Sequence, residues 1–176
     1  MDFQHIEATF GKLEHRSLSF SKGLNIIEAP NESGKSTLLA FLRVMLYGFP
    51  PRERGAMADK NRYAPWSLSP MRGTLTLTCE KGGITLQRDT ARANSPMGHF
   101  SAVYTGSGEA VDGLTAADCG ETLLGVPCEV YERSAFIRQS SLTVDASAEL
   151  ERRIAALITT GEEGQSFSEA SAALKK

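Results

Sequence analysis

The run from Ala29 to Thr37 constrains the fold of this chain more than any other part of the sequence. It matches the phosphate-binding pattern G-x-x-x-x-G-K-[ST] at every fixed position except the first, where Ala29 stands in place of glycine. In such a loop the backbone N–H groups converge on one spot, and the dipole of the following helix adds about half a positive charge there. The pattern therefore predicts a strand before the loop and a helix after it.

Three residues of this run have the chemistry that a bound phosphate chain requires. Gly34 lets the backbone come close to phosphate oxygens, Lys35 supplies a full charge for the β- and γ-phosphates, and the Ser36 hydroxyl can ligate magnesium. At Ala29 a positive φ would cost about 1 kcal/mol or more. We expect Ala29 to be extended instead, in a place where a small side chain fits.

The segments on either side of the loop have the residue patterns of the predicted strand and helix. The β-rich run from Leu24 to Ile27 indicates a short buried strand. After the loop, apolar residues at helical spacing predict a helix that begins near Lys35 and ends at Gly48 and Pro50. These residues are Leu38, Leu39, Leu42, Met45 and Leu46.

Outside this unit the sequence alternates between strand and helix patterns. Two strands are predicted within residues 6–20, and a β-hairpin is predicted for residues 74–87 around a Gly-Gly turn, followed by a strand at 100–104. Helices are predicted from Thr115 to Leu124, with Gly125 as the stop, and again from Pro127. Residues 147–176 are predicted to form a further helical segment. Because the pattern is still helical at the last residue, we expect the sequence to be part of a longer chain.

Composition excludes several classes of protein. The 176 residues are 41% hydrophobic and 23% charged, as expected for one folded domain, and the net charge of −2 excludes a chain that coats nucleic acid by bulk charge. Residues 43–72 are locally basic and are predicted to form a long irregular loop, which is either a solvated surface segment or a flap that faces phosphate.

Three cysteines without a Cys-x-x-Cys pair predict neither a zinc site nor a disulfide framework. With no signal peptide and no stretch long enough to cross a bilayer, the protein is expected to be cytoplasmic and to have no membrane partner.

The nucleotide chemistry is only partly encoded. The Asn-Lys-x-Asp motif that reads guanine in GTPases is absent from the sequence. No run of four apolar residues ends in Asp or Glu, so the sequence offers no second carboxylate for the metal. Residues 142–145 come nearest to this pattern and match it poorly. The phosphate cradle is therefore present without the part that activates water, which disfavours a self-contained small-molecule kinase.

An ordered set of motifs resembles the N-terminal half of SMC-like ABC-type ATPases, in particular the SbcC group and the bacterial YhaN-type AAA proteins. The resemblance covers nearly the whole chain. Its motifs are Ile6, Phe10-Gly11, Leu13, Leu18, Phe20, Gly23 to Ile27, Pro30 to Leu38, Tyr63-Ala64-Pro65-Trp66, Leu86-Gln87-Arg88 and Tyr131 to Gln139.

This resemblance implies an α/β fold, namely a P-loop NTPase lobe with a mixed β-sheet around the P-loop helix and an antiparallel β subdomain. Residues 1–146 would form the N-terminal lobe of an ABC-type head, and residues 147–176 would form a helical segment leading toward a coiled coil that this chain lacks. A C-terminal half of the same head would supply the signature motif and the Walker B acid.

The resemblance also implies residue roles for Mg-ATP. Lys35 and Gln139 are the expected catalytic residues, and Ser36 and Gln139 the expected magnesium ligands. The nucleotide-binding set is Asn31, Glu32, Ser33, Gly34, Lys35, Ser36 and Thr37, together with Lys12 and Arg62 near the base or ribose. Tyr63 could pack near the adenine, but Tyr63 and Trp66 fit a local core at least as well.

Three functions are compatible with the sequence. The first is an ATPase head half in DNA repair, recombination or chromosome metabolism, with negligible turnover alone and an ATP-dependent head-to-head dimer. In this reading DNA is a candidate partner only. The second is a module that uses ATP to associate and hydrolyses little, and the third is a small kinase. Turnover by the isolated chain separates the third from the other two.

Overall fold

The computed structural model describes residues 1–50 and 58–135, and the statements below concern this part of the chain. The chain divides into two compact units, Met1–Val126 and Pro127–Lys176. Gln139 and the helical segment predicted for residues 147–176 lie outside the described residues, so both stay predictions.

A single five-stranded sheet forms the body of the first unit. Its strands lie in the order β2-β1-β3-β4-β5, and every neighbouring pair is antiparallel. The strands are β1 (Asp2–Phe10), β2 (Leu13–Ser19), β3 (Arg72–Cys79), β4 (Gly82–Asp89) and β5 (His99–Tyr104). The predicted hairpin is confirmed, because β3 pairs with β4 throughout and Cys79 stands opposite Gly82.

The register of the sheet separates an apolar face from a polar one. Ile6 pairs with Leu75, which pairs with Leu86, and all three are fully buried. On the neighbouring row Glu7 pairs with Thr74, which pairs with Gln87. Because side chains alternate along a strand, the first row covers the core and the second row forms the polar face.

Helix α1 (Lys35–Tyr47) supplies the other layer of the core. Phe41 and Met45 are fully buried, and the Phe41 ring meets the Phe10 ring edge-on with centroids 5.7 Å apart. A Cβ placed on Gly73 would lie 2.3 Å from the Phe41 ring, so α1 packs against β3 at this depth only because residue 73 has no side chain. The helix ends at Gly48, whose φ is 71°, as the sequence predicts.

Buried Arg88 joins the C-terminal part of α1 to the rest of the core. Its guanidinium donates to the carbonyl of Met45 at 3.0 Å and to that of Ala116 at 2.7 Å, and it lies over the Phe100 ring at 4.7 Å. Burial lowers the pKa of Arg88, and burial raises the pKa of the nearby Cys119 thiol to about 11, so that this thiol stays neutral. Arg88 therefore has a structural role.

Three short helices complete the described chain. Helix α2 (Asp59–Arg62) lies in the segment predicted to be irregular, so that expectation was wrong for these residues. Helix α3 (Cys119–Leu124) ends at Gly125 with φ 71°, as predicted. In the second unit, helix α4 (Cys128–Ser134) follows Pro127, also as predicted.

Two expectations about the sheet are corrected. Residues 24–27 are not a buried strand: they form no strand pairing, and Leu24 and Ile26 are 87% and 83% exposed. The described sheet is consequently antiparallel rather than mixed, and the hairpin belongs to it rather than to a separate subdomain. The physical reason is that a β-rich run becomes a strand only when a neighbouring strand offers hydrogen bonds, and no described strand pairs with residues 24–27.

We predict that Gly73→Ala destabilises the protein by about 1–3 kcal/mol, because the added methyl group would overlap the Phe41 ring and force α1 from the sheet. Chemical denaturation followed by far-UV circular dichroism measures this change. Gly106→Ala is the matched control, since a Cβ there meets no atom within 4 Å. Equal stability of both variants would contradict the packing described here.

Candidate phosphate-binding site

The loop before α1 has the backbone geometry of an anion cradle. Glu32 and Gly34 both have positive φ, 63° and 100°, and Gly34 is the residue immediately before the helix. No side chain caps the N-terminus of α1, and its first turn contains no acidic residue. The N–H groups of the first turn therefore remain available to an anion, and the helix dipole favours negative charge at this point.

Lys35 folds back over this loop. Its ammonium group donates to the carbonyl oxygens of Ala29 and Pro30, the latter at 2.7 Å. The side chain is exposed, so packing does not hold it in place. A cation that is held by neutral loop carbonyls can exchange them for negatively charged phosphate oxygens.

The turn between β1 and β2 packs against the phosphate loop. Gly11 and Lys12 form a two-residue turn, and a Cβ on Gly34 would lie 3.2 Å from Leu13 at the start of β2. The Gly11 N–H donates to the carbonyl of Tyr63 at 2.8 Å, which ties the segment after α2 to the same turn. The β1–β2 turn therefore contacts both the phosphate loop and the segment after α2.

Lys12 is the second cation at the loop. Its ammonium group donates to the backbone carbonyl of Glu32 at 3.2 Å and lies 3.7 Å from the Glu32 carboxylate. The same group lies 5.1 Å from the centre of the Trp66 ring. Lys12 thus bridges the loop and an exposed aromatic side chain.

The remaining loop residues occupy the same small region. Asn31, Ser33 and Ser36 are exposed, whereas Thr37 is half-buried and its methyl group faces Gly11. Ala29 is not among the described non-glycine residues with positive φ, so its Cβ adds no strain. The expectation that Ala29 avoids the left-handed region is confirmed.

Two predicted site residues are not placed at the loop. Arg62 lies over the Tyr63 ring at 5.6 Å, and its predicted contact with nucleotide stays a prediction. Gln139 lies outside the described residues.

Tyr63 is buried and stacks on Phe10 with ring centroids 5.0 Å apart, which confirms the prediction that Tyr63 belongs to a local core. For Trp66 that reading was wrong, since the residue is 78% exposed.

The donor set fits magnesium only when a nucleotide brings part of the coordination shell. Within residues 1–50 and 58–135, no group of three or more His, Cys, Asp and Glu side chains is arranged to hold a metal ion. The exposed Ser36 hydroxyl at the start of α1 is a suitable oxygen ligand, and phosphate oxygens with water would complete the shell. A bound Mg-ATP would thus be held by the loop N–H groups, Lys35 and Ser36.

A concavity lies over the polar face of the sheet, with a volume of about 500 Å³. Its lining mixes cations, Arg16 and Arg72, with the acidic residues Glu7 and Asp89. Such a lining has no single sign of charge, so it does not favour the nucleic-acid backbone as a ligand.

Comparison with known families agrees with this geometry. Residues 8–90 match a family model described as an AAA domain, and the match includes the whole loop and the first turn of α1. This segment is similar to AAA-type ATPases. The AAA match supports ATP binding and P-loop NTPase character. No curated protein matches the chain.

Within residues 1–50 and 58–135, none of the helices has the length and the apolar character needed to cross a bilayer.

We predict that Lys35→Ala abolishes detectable Mg-ATP binding and leaves the fold intact. Among the described residues the ammonium group contacts loop carbonyls, and the side chain is exposed, so its loss removes a charge that phosphate needs without opening the core. Isothermal titration calorimetry measures the binding, and Lys22→Ala, at another exposed lysine, is the control. Equal affinity of the wild type and Lys35→Ala would overturn the assignment of the loop.

Proposed function

We propose that this chain binds Mg-ATP at the loop before α1 and serves as the N-terminal half of an SMC-like ATPase head. The observation that carries the proposal is the uncapped N-terminus of α1, preceded by Glu32 and Gly34 in left-handed conformation and overlaid by Lys35. The AAA match over residues 8–90 supports the same nucleotide class.

The exposed segment at residues 24–27 supports a missing second half. Leu24 and Ile26 are almost fully exposed, although they stand a few residues before the phosphate loop. Together with Leu18 and Phe20 this segment borders a trough of about 440 Å³. Exposed apolar residues with unpaired backbone groups are typical of a surface that another segment covers. The C-terminal half of the head is the occupant that we propose.

Catalysis in this proposal is divided between the two halves. Lys35 and the loop N–H groups would neutralise the charge of the phosphates, and Ser36 would ligate magnesium. Gln139 would ligate magnesium or orient water, and the C-terminal half would bring the second carboxylate. ATP-dependent dimerisation, a role in DNA metabolism and a cytoplasmic location stay predictions from the resemblance.

We predict that the 176-residue chain binds Mg-ATP but releases phosphate at a rate several orders of magnitude below that of a complete enzyme. Phosphoryl transfer needs positioned charge on all sides of the γ-phosphate and an oriented nucleophile, and the sequence has no run of four apolar residues ending in Asp or Glu to supply the second metal carboxylate. Steady-state phosphate release by the purified chain measures the rate, with Lys35→Ala as the blank.

A turnover near about 1 per second, as in complete enzymes, would contradict the divided site and would favour the self-contained kinase or hydrolase. If the family's C-terminal segment, added in trans, binds without restoring turnover, the module that uses ATP only to associate is favoured instead.

A further inference from the structure

We propose that Trp66 is the platform on which the purine base of the bound nucleotide stacks. This inference rests on the proposed function, because it places the base of a nucleotide whose phosphates occupy the loop. It adds a binding determinant on a segment far from the loop in sequence.

The position of Trp66 is fixed although its ring is exposed. Pro65 is buried, and the Leu68 N–H donates to the Pro65 carbonyl at 3.0 Å, so Trp66 stands in a closed turn. Upstream, Tyr63 is buried on Phe10 and accepts the hydrogen bond from Gly11. The backbone before Trp66 is therefore anchored to the turn that packs against the loop, and the backbone after Trp66 is bonded back to Pro65.

The Trp66 ring lies next to the phosphate cradle. A single ammonium group, that of Lys12, lies 5.1 Å from the ring centre and 3.2 Å from the carbonyl oxygen of Glu32 in the loop. Lys12 can shield only one face of the ring, and with 78% of the residue exposed the remaining surface is open to a ligand.

The exposed Trp66 ring is better suited to contact a nucleobase than to contact water. An exposed indole offers a large flat surface whose stacking on a nucleobase contributes substantially to affinity and requires no specific hydrogen bond. The cation beside it also attracts the phosphates of the same ligand. An exposed Trp can equally mark a contact with another protein, and the test below includes that outcome.

The chain offers a direct probe, because Trp66 is its only tryptophan. We predict that Mg-ATP changes the intrinsic fluorescence and protects the ring from acrylamide quenching. Magnesium tripolyphosphate, which has the phosphates without a base, should bind the loop and leave the quenching unchanged.

Calorimetry with variants completes the test. Trp66→Ala should weaken Mg-ATP binding about tenfold or more and leave tripolyphosphate binding unchanged, while Trp66→Phe should recover most of the affinity for ATP. Leu68→Ala, at a neighbouring residue that is 92% exposed, is the matched control and should change neither. Circular dichroism checks that each variant is folded.

The possible failures are distinguishable. If the wild type binds neither ATP nor tripolyphosphate, the proposed function and this inference both fall. If the wild type binds ATP, Trp66→Ala binds it equally well and the fluorescence does not respond, the function stands, this inference is overturned, and a protein contact becomes the better account of the exposed ring.

Discussion

The packing of α1 against the sheet is the constraint on which the rest of the structure depends. Phe41 and Met45 on this helix are fully buried, and Phe41 fits only because Gly73 has no side chain. The first residue of the same helix is Lys35, so the element that fills the core also begins at the phosphate loop. A rigid, buried helix therefore holds the N–H groups of its first turn in a fixed position, as preorganised anion binding requires.

The sequence predicts most of the local structure because local rules decide it. The start of α1 and its end at Gly48, the β3–β4 hairpin and the stop of α3 at Gly125 all follow from apolar periodicity and from glycine, and the structure agrees. The placement of residues 24–27 was wrong for a non-local reason: a run can have strand composition and still lack a strand to pair with. Leu24 and Ile26 are exposed as a result.

The side chains around the loop were predicted less completely than the loop itself. The motif identifies residues 29–37, whereas Lys12 was suggested only by the family resemblance. For Trp66 a place in a local core was expected to fit at least as well as a nucleotide contact, but Pro65 and Tyr63 take the buried places instead. A sequence signal was nevertheless present: Trp66 follows a proline in a basic segment, where turns expose their central residues.

The central claim is that the first turn of α1 binds phosphate through its backbone, and amide NMR tests it most directly. Titration of the ¹⁵N-labelled chain with Mg-ATP should move the backbone amide signals of Gly34, Lys35 and Ser36 more than those of the polar face of the sheet. Tripolyphosphate should move the same three signals. The account is contradicted if these amides stay in place while signals of the sheet face, such as those of Thr74 and Gln87, respond to the nucleotide.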